Sequence, residues 1–387
     1  MTYRTTTLGS FALLAVSLAF TWGGGLELVA QQPAASTLPA PAVAPLESLR
    51  LPAGFTISVF ASGLPGSRLM AVSPEGTLVV AQRTEVVALP DQDGNGQAEP
   101  AVVASGLTNA YSVAFRGAHM YVGTMPAVLR FPWGDGQVSG PPEPVAALPD
   151  SKPAVHVSRS VRFGPDGRLY VAIGSSCNVC VEADPRRTTI QVFEADGTKG
   201  RTFASGLRNA VGFDWDPRTG RLWAGDTGQE GLGDDTPPDE INLVEDGRHY
   251  GFPFFHGRNV PSDAQELKEA PRTLSVAGVQ APAFELPAHV TPLGLSFYTG
   301  TVFPPEYASA LYVALHGSTA RSTKNGYKVI RIVMRDGQPF AAEDFVTGWL
   351  QGDQVSGRPS GVVTGRDGAL YISDDNKGFI YRVAYKG

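Results

Sequence analysis

The segment Leu169-Tyr170-Val171-Ala172-Ile173-Gly174 is the clearest copy of a strand that recurs along this chain. Each copy follows an apolar strand and a turn that carries Gly or Asp, and a third apolar strand comes after it. Repetition at intervals of about 40 to 50 residues is typical of the blades of a β-propeller. Six copies are present, at Leu78–Gln82, Met120–Thr124, Leu169–Gly174, Leu222–Asp226, Leu311–Leu315 and Leu370–Asp374.

The intervals between the copies indicate one closed ring with insertions. Successive copies begin 42, 49, 53, 89 and 59 residues apart. Asp and Gly in Pro165-Asp166-Gly167 and Arg366-Asp367-Gly368 favour tight hairpins. A strand at Gly54–Ser62 precedes the first copy, and it can complete the last blade and remove the open edges. We therefore predict an all-β, six-bladed β-propeller over residues 51–387, with a β-sandwich as the alternative architecture.

Composition and charge agree with this fold class. Hydrophobic residues make up 42% of the chain and charged residues 18%, which favours a folded protein with a large core over a disordered or coiled-coil one. The formal net charge is −6, and there is no long run of Lys and Arg. No nucleic-acid partner is therefore expected.

The first fifty residues have a different character. A lone Arg4 precedes an apolar stretch over Leu8–Trp22, and small residues follow near Ala30, which is the layout of a secretory signal peptide. We predict a signal over residues 1–30, a Pro/Ala-rich tether over 31–50, and a periplasmic or secreted protein with no stable membrane span. A retained anchor is the alternative, although the stretch is shorter than the ~20 residues of a spanning helix.

Two residues near the starts of inner strands could carry chemistry. His156 would face the channel, and an imidazole can remove a proton from a hydroxyl near neutral pH. Arg208, before the fourth blade, would bring a fixed positive charge to the same channel. A structural histidine and a salt bridge between blades are the respective alternatives. Function is also expected in the long connections at about Glu245–Val290 and Leu315–Lys328.

Oxygen donors cluster after the fourth copy. The segments are Gly225–Gln229, Asp239–Leu243 and His249–Pro253. Carboxylates and exposed carbonyls suit calcium, which takes six to eight oxygen ligands; solvated loop charge is the alternative. A second segment, Asp91–Gly96, begins like a calcium loop but has Val102 where a bidentate Glu is expected, so we predict a polar turn there.

Seven motifs occur in a characteristic order along the chain. They are His156-x-x-Arg159, Phe163–Gly167, Gly206–Asn209, Asp239–Leu243, His289-x-x-Pro292-Leu293-Gly294, Gly326–Val329 and Gly357-Arg358-Pro359. Taken in this order, they resemble the soluble glucose/sorbosone dehydrogenase family, whose members use pyrroloquinoline quinone (PQQ). The sorbosone dehydrogenase branch looks most similar, because Ser175-Ser176-Cys177-Asn178 follows the third copy. The resemblance extends from about Leu51 to Val383.

This resemblance implies a propeller that holds PQQ and calcium at the channel mouth and oxidises a sugar or a sugar-derived aldehyde. It implies that His156 is the general base on the substrate hydroxyl and that Arg208, with Asn209 beside it, stabilises the developing negative oxygen. Arg358, and Arg321 or Lys324, would hold the carboxylates of the cofactor. The metal would be bound by the main-chain carbonyls of Gly228 and Gln229, and the family's second calcium region matches Glu240 and Tyr250.

Three departures concern the substrate side of the site. His316–Arg321 reads His-Gly-Ser-Thr-Ala-Arg, where the sorbosone branch has His-Gly-Ser-Trp-Asn-Arg, so an aromatic residue is missing. Leu107 replaces a glutamine of the glucose-oxidising branch, and Val155 replaces its aspartate before the base. A propeller that only binds a glycan or a protein, and a calcium-dependent propeller lactonase, are the alternative functions.

The two cysteines are predicted to form a local disulfide. Cys177 and Cys180 lack the βαβ context of a redox motif, and no second pair exists for zinc. A disulfide suits an exported protein. The chain also has no Cys-x-x-Cys-His haem-attachment motif, so electrons would pass to an external acceptor.

Overall fold

The computed structural model describes residues 44–150, 155–270, 274–318 and 320–387. It confirms an all-β, six-bladed propeller. The predicted signal peptide and the tether as far as residue 43 lie outside the described residues. None of the helices that the structure describes is long and apolar enough to cross a membrane.

Each blade is an antiparallel sheet. In blades 1 to 5 the strands run in chain order from the innermost to the outermost, whereas the outermost strand of blade 6 comes from the start of the described chain. Blade 1 holds β2 (Met70–Val72), β3 (Leu78–Ala81), β4 (Glu85–Leu89) and β5 (Ala101–Ser105). Blade 2 holds β6 (Ser112–Arg116), β7 (His119–Gly123), β8 (Ala127–Gly134), the short β9 (Gln137–Val138) and β10 (Glu143–Ala147). Blade 3 holds β11 (Arg159–Phe163), β12 (Leu169–Ile173), β13 (Thr189–Phe193) and β14 (Arg201–Ser205).

The second half of the ring carries the insertions. Blade 4 holds β15 (Phe213–Trp215), β16 (Leu222–Asp226), β17 (Asp239–Val244) and β20 (Phe284–Leu286), with the inserted hairpin β18 (Phe255–His256) and β19 (Val260–Pro261). Blade 5 holds β21 (Pro292–Phe297), β22 (Leu311–Leu315), β23 (Lys328–Arg335) and β24 (Gln338–Val346). After the hairpin β25 (Leu350–Gln351) and β26 (Gln354–Val355), blade 6 holds β27 (Pro359–Thr364), β28 (Leu370–Asp374), β29 (Phe379–Tyr385) and β1 (Phe55–Ala61).

The six recurring segments are the second strands of the six blades. These strands are β3, β7, β12, β16, β22 and β28, and most of their residues are buried. A second strand has partners on both edges and a neighbouring blade on both faces, so it reads as a continuous apolar run. In blade 2 the observed strand begins one residue earlier than predicted, at His119.

The ring is closed by the strand nearest the N-terminus, as the sequence predicts. β1 pairs antiparallel with β29 and places Phe55 opposite Tyr385. The Phe55 ring also lies 4.8–5.1 Å, between ring centroids, from the rings of Phe303, Tyr307, Phe345 and Tyr385. The first and last strands therefore share one sheet and one aromatic cluster.

The last residues of the predicted tether, 44–50, are among the described residues. A 3-10 helix spans Leu46–Ser48, and Leu49 is 5% exposed in the core cluster that contains Trp349. Arg50 exchanges main-chain hydrogen bonds with Thr347. The apolar side chains of this segment pack against the ring of blades. The Pro/Ala-rich sequence upstream has fewer large apolar side chains for such packing. The other 3-10 helices are Gln265–Leu267 and Val276–Gly278.

The innermost strands surround a central channel. A cavity of about 340 Å³ occupies it, lined by residues of β2, β6, β11, β15, β21 and β27. At the end where these strands begin, Leu69, Tyr111, Val211 and Leu293 pack into one apolar cluster. We call this cluster the floor; two of its residues, Leu69 and Val211, also line the channel cavity.

Candidate active site

Most of the predicted site residues lie at one end of the propeller, which we call the mouth face. Because neighbouring strands are antiparallel, the connections between blades emerge at the same end as the loops between second and third strands. His156, Arg208 and Arg358 precede the inner strands β11, β15 and β27, respectively. The predicted cofactor and base residues therefore share the mouth face, above the floor.

His156 is held by Ser175, the residue that follows the end of β12 by two positions. The imidazole Nδ1 lies 2.7 Å from the Ser175 hydroxyl and 3.2 Å from its carbonyl oxygen. The hydroxyl donates its one proton to the carbonyl of Cys177 at 2.7 Å, so both Ser175 oxygens accept from Nδ1–H. This arrangement leaves the lone pair on Nε2, which has no hydrogen-bond partner among the described residues.

The environment of His156 favours the neutral imidazole. Burial, followed by the positive charge of Arg208, lowers the pKa of His156 to about 3. Arg187 and Arg159 act in the same direction, against the hydrogen bond that His156 donates to the Ser175 carbonyl. A neutral imidazole with a free Nε2 can accept a proton.

Arg208 and Asn209 lie beside this histidine. The Arg208 guanidinium donates from Nε to the carbonyl of Asn178 at 2.9 Å, from Nη2 to the Asn178 side-chain oxygen at 2.8 Å, and from Nη1 to the carbonyl of Thr227 at 3.2 Å. The Asn209 side chain accepts from Ser158 at 3.1 Å. A Cβ on Gly174 would lie 2.5 Å from Asn209 Oδ1 and 2.7 Å from His156 Cβ. The side chains of Asn209 and His156 therefore both pack against Gly174.

Two equivalent aspartates fix the arginine loops. Asp226 ends the second strand of blade 4 and accepts the main-chain N–H groups of Arg208 and Asn209 at 2.8 and 2.6 Å. Asp374 ends the second strand of blade 6 and accepts the N–H of Arg358 at 3.0 Å. Burial raises the pKa of Asp226 to about 6, although these N–H groups oppose the shift. Arg208 and Arg358 therefore occupy corresponding positions in their blades.

Arg358 is fixed by the loop that follows β22. Its Nε donates to the carbonyl of His316 at 3.1 Å and its Nη2 to that of Gly317 at 2.8 Å. The guanidinium carbon lies 5.4 Å from the centre of the Tyr327 ring. The outer nitrogen Nη1 makes no hydrogen bond with the described residues, so N–H donors remain for an anion.

A second ionisable cluster on the mouth face was missed by sequence reasoning. His316 Nε2 lies 2.9 Å from the Asp375 carboxylate, which also pairs with Arg68 at 2.5 Å. Burial alone would raise the pKa of Asp375, but the hydrogen bond from His316 and the charge of Arg68 hold it below its usual value. Arg68 in turn lies over the ring of Tyr111 in the floor. The alignment of the six copies marks Asp226 and Asp374, but nothing in the repeat marks Asp375.

Arg321 and Lys324 are engaged by neighbouring loops. Arg321 donates to the carbonyl of Asp234 at 2.6 Å and lies 3.1 Å from the Asp235 carboxylate. Lys324 is exposed and donates to the carbonyl of Asp353 at 2.6 Å. The structure therefore brings His156, Arg208 and Asn209 together, but it turns the charged ends of Arg321 and Lys324 toward other partners. Thr319, where the aromatic residue of the sorbosone branch is missing, lies outside the described residues.

The loop of residues 227–238 offers free oxygen donors. The carbonyls of Gly228 and Gln229 accept no hydrogen bond from the described part of the chain, whereas the Gly228 N–H donates to Asp239 at 2.8 Å. The buried Thr227 hydroxyl and Gln229 amide nitrogen are also without partners there. Main-chain carbonyls are ligands that calcium accepts.

Glu240 lies near the start of β17, whereas Tyr250 follows the end of that strand by six residues. The Glu240 carboxylate accepts the N–H of Gly257 at 2.9 Å and the amide of Asn242 at 3.0 Å, and burial raises its pKa to about 8. The Tyr250 hydroxyl donates to the carbonyl of Leu243 at 2.6 Å. Since both carboxylate oxygens of Glu240 already have donors, its side chain is a poorer calcium ligand than the two free carbonyls.

The predicted disulfide is confirmed, and the Asp91 segment is a turn. Cys177 and Cys180 are bonded, with Cα atoms 6.1 Å apart, in the range of unstrained disulfides. In the other segment, Asp91 accepts the N–H of Gly96 and Asp93 accepts that of Asn95. This segment is exposed, so its carboxylates are solvated.

A family model described as TrAA12-like matches residues 49–386, which is nearly all of the described chain. The chain belongs to the TrAA12-like family. This match agrees with the resemblance that the motifs carry, and it does not single out the sorbosone branch.

Relatives of this TrAA12-like protein include one sugar dehydrogenase. The chain is 36% identical over 247 residues to an uncharacterized protein of Borreliella burgdorferi, covering 62% of this chain and 64% of that protein. It is 26% identical over 199 residues to the aldose sugar dehydrogenase YliI of Escherichia coli, covering 49% and 45%, respectively. The chain therefore spans less than two thirds of the length of either relative.

A similar solved structure is the holo form of the PQQ domain of pyranose dehydrogenase from Coprinopsis cinerea. Its TM-score is 0.73 at 20% identity, and the match covers 87% of this chain and 97% of that one. At this identity the likeness establishes the shared propeller fold.

The mouth face of the TrAA12-like chain fits an anionic quinone and a calcium ion. Arg208 and Arg358 retain N–H donors suited to carboxylates, and the apolar floor offers a surface for a planar ring system. Gly228 and Gln229 supply two oxygen donors with no other partner. His156 lies at the same face, and its Nε2 has no hydrogen-bond partner among the described residues.

Proposed function

We propose that this protein is a PQQ-dependent dehydrogenase that oxidises a sugar, or a sugar-derived aldehyde of the aldose or sorbosone class. The observation that supports this most is the geometry of His156, whose Nε2 is free while its Nδ1 is held by Ser175 beside Arg208. The sugar dehydrogenases among its relatives and structural neighbours support the choice of substrate class.

His156 acts as the general base in this proposal. Its Nε2 accepts the proton of the substrate hydroxyl, and the resulting imidazolium is stabilised by the two oxygens of Ser175 that accept from Nδ1. PQQ, when bound, would accept the hydride, that is the hydrogen and the two electrons, that the hydroxyl-bearing carbon loses. Because burial keeps His156 neutral, the base is ready without a prior deprotonation.

In this proposal, Arg208 and Arg358 bind and orient the reacting groups. Arg208 places a fixed positive charge beside His156 and stabilises negative charge that develops on a nearby oxygen, and Asn209 packs next to it. Arg358 offers its free Nη1 to a cofactor carboxylate. Arg321 and Lys324 could serve as further cofactor contacts only after leaving Asp234 and Asp353, so we expect them to contribute less.

Calcium binding belongs to the same proposal. The carbonyls of Gly228 and Gln229 would hold the ion, which would act as a Lewis acid near the cofactor. Export to an oxidising compartment is also part of the proposal, because the predicted signal over residues 1–30 and the Cys177–Cys180 disulfide suit such a compartment. The enzyme would pass its electrons to an external acceptor there.

Reconstitution with PQQ and calcium tests this function directly. Purified protein is incubated with both, tryptophan fluorescence reports PQQ binding, and dye reduction is followed with a panel of sugars and aldehydes. We expect PQQ binding and sugar-dependent turnover that falls when calcium is removed with a chelator. A protein that binds no PQQ overturns the proposal, and hydrolysis of lactones without PQQ would favour the lactonase alternative.

The base is tested with a matched pair of histidine variants. His156→Ala should keep PQQ binding and lower kcat by about 10²- to 10⁴-fold, the usual contribution of a general base. His119→Ala is the control, because His119 starts β7 at the opposite end of the propeller. Wild-type turnover in His156→Ala would show that His156 is not the base.

A further inference from the structure

The loop between β12 and β13 contacts three parts of the proposed site at once. We call residues 175–182 the disulfide loop, because Cys177 and Cys180 close it. It contacts His156, Arg208 and the loop of residues 227–238. Apart from the disulfide, the sequence motifs assign no role to its side chains.

Ser175 joins the base to the arginine. It is fully buried, and its main-chain N–H donates to the carbonyl of Arg208 at 2.9 Å. Its two oxygens accept from His156, and its hydroxyl proton goes to the Cys177 carbonyl, inside the disulfide ring. The orientation of the Ser175 hydroxyl therefore depends on where the disulfide loop places Cys177.

Asn178 joins the arginine to the candidate calcium loop. Its main-chain and side-chain oxygens both accept from the Arg208 guanidinium. Its side-chain amide also exchanges two hydrogen bonds of 2.9 Å with the main chain of Glu230, the residue after Gln229. One amide side chain thus ties Arg208 to the free carbonyls of Gly228 and Gln229.

The position of the disulfide loop is itself fixed from two sides. Val179, between the cysteines, is 5% exposed and packs against Phe254, Ala264 and Leu267 of the blade 4 insertion. On the outer side, Glu182 accepts the main-chain N–H and the hydroxyl of Ser176 at 2.6 and 2.8 Å. The disulfide holds the ring between these two anchors.

We propose that Ser175 and Asn178 are positioning residues for His156 and Arg208, and that the Cys177–Cys180 disulfide keeps both in place. Ser175 holds the imidazole as the Nδ1–H tautomer, and Asn178 holds the guanidinium against the calcium loop. The roles of His156 and Arg208 rest on the proposed function; the contacts themselves do not.

The tautomer of His156 provides a test without cofactor. Long-range ¹H–¹⁵N NMR of cofactor-free protein, assigned with the His156→Ala variant, should show Nε2 without a proton in the wild type. Ser175→Ala should raise the fraction protonated at Nε2. A wild-type imidazole protonated mainly at Nε2 would overturn the proposal, whether or not the protein binds PQQ.

Kinetics of neighbouring serine variants separate positioning from folding. Ser175→Ala should lower kcat about tenfold with little change in KM, since a hydrogen bond to the charged imidazolium is lost. Ser176→Ala is the matched control, because its hydroxyl bonds to Glu182 on the outer side of the loop, and kcat should stay within about twofold. Equal kcat values in the two variants would contradict the role of Ser175.

Asn178 is tested by loss and by conservative replacement. Asn178→Ala should weaken PQQ binding about tenfold, because the guanidinium loses an acceptor and the calcium loop loses its tie. Asn178→Asp keeps the oxygen that Arg208 and the Glu230 N–H use, so affinity should return to within about threefold of the wild type. If both variants bind PQQ equally well, Asn178 does not position Arg208.

The double variant Cys177→Ser/Cys180→Ser tests the disulfide. It should lower kcat and PQQ affinity, each by about tenfold, at a temperature where circular dichroism shows a folded propeller. Wild-type kcat and affinity in this folded variant would show that the disulfide does not hold the site. If the wild type itself fails to bind PQQ, the proposed function fails, and the NMR measurement still decides the role of Ser175.

Discussion

Replacing Phe55 by Ala should weaken the contacts that close the propeller ring and lower the free energy of unfolding. Phe55 is 8% exposed and contacts four aromatic rings from blades 5 and 6. Truncation of a buried Phe costs about 3–5 kcal/mol, because apolar contact is lost and a cavity remains. For a domain of about 340 residues, the entropy of unfolding is about 0.7 kcal/mol per kelvin. A loss of about 4 kcal/mol therefore lowers Tm by about 6 °C.

Differential scanning calorimetry on wild type, Phe55→Ala and Phe340→Ala measures this effect. Phe340 is the matched control, because it is 55% exposed on β24 and touches mainly the Arg335 guanidinium. Its replacement should cost less than about 1 kcal/mol. If the two variants lose the same stability, the aromatic cluster around β1 does not hold the ring closed, and the argument from burial is wrong.

Two further predictions concern the inner strands and the base. Gly294→Ala should destabilise the protein by about 1–3 kcal/mol, because a Cβ there would lie 2.5 Å from the Gly361 Cα; Gly134→Ala, with no atom within 4 Å, should be neutral in the same thermal unfolding assay. The folded pKa of His156, about 3, lies below its unfolded value of 6.5, so its contribution to stability is lost as pH falls below about 6.5. Urea unfolding of cofactor-free protein should show that the wild type loses about 1–2 kcal/mol more than His156→Asn between pH 7 and 5, and parallel pH profiles would contradict this.

The sequence predicted the fold because each second strand carries a strong local signal. A second strand such as Leu169–Ile173 is buried along its whole length. Each of the six copies therefore has a similar apolar run. Outer strands carry a weaker sequence signal. Ala101–Ser105 is largely exposed, and its residues are equally typical of a loop. The inserted hairpins Phe255–Pro261 and Leu350–Val355 are short and partly exposed, and nothing in their composition predicts them.

The sequence predicts where the candidate site residues lie in the fold, but it predicts few of their contacts. The spacing from His156 and Arg208 to the following strands places both at one end of the propeller, and this follows from the repeat alone. Their partners come from loops whose paths depend on tertiary packing. Ser175 and Asn178 mark a family resemblance in the sequence, but their hydrogen bonds to His156 and Arg208 exist only because the disulfide loop folds back over blade 3.

Arg321 and Lys324 illustrate why charge alone does not specify a residue's contacts. Both are cations in a long loop near the expected cofactor, which is why the motif comparison selects them. Each has an oxygen partner in another loop, at Asp234 and Asp353. Asp375 illustrates the converse, since its importance comes from His316 and Arg68, which are distant from it in sequence.

The floor formed by Leu69, Tyr111, Val211 and Leu293 places four packed apolar side chains at the mouth-face end of the channel. A ring of six blades invites the picture of a tunnel with reactants on one side and products on the other, but a polar molecule that crossed this ring would have to pass those side chains. In a dehydrogenase built on the mouth face, the sugar, its oxidised product and the electron acceptor would then all arrive and leave on the same side of the floor.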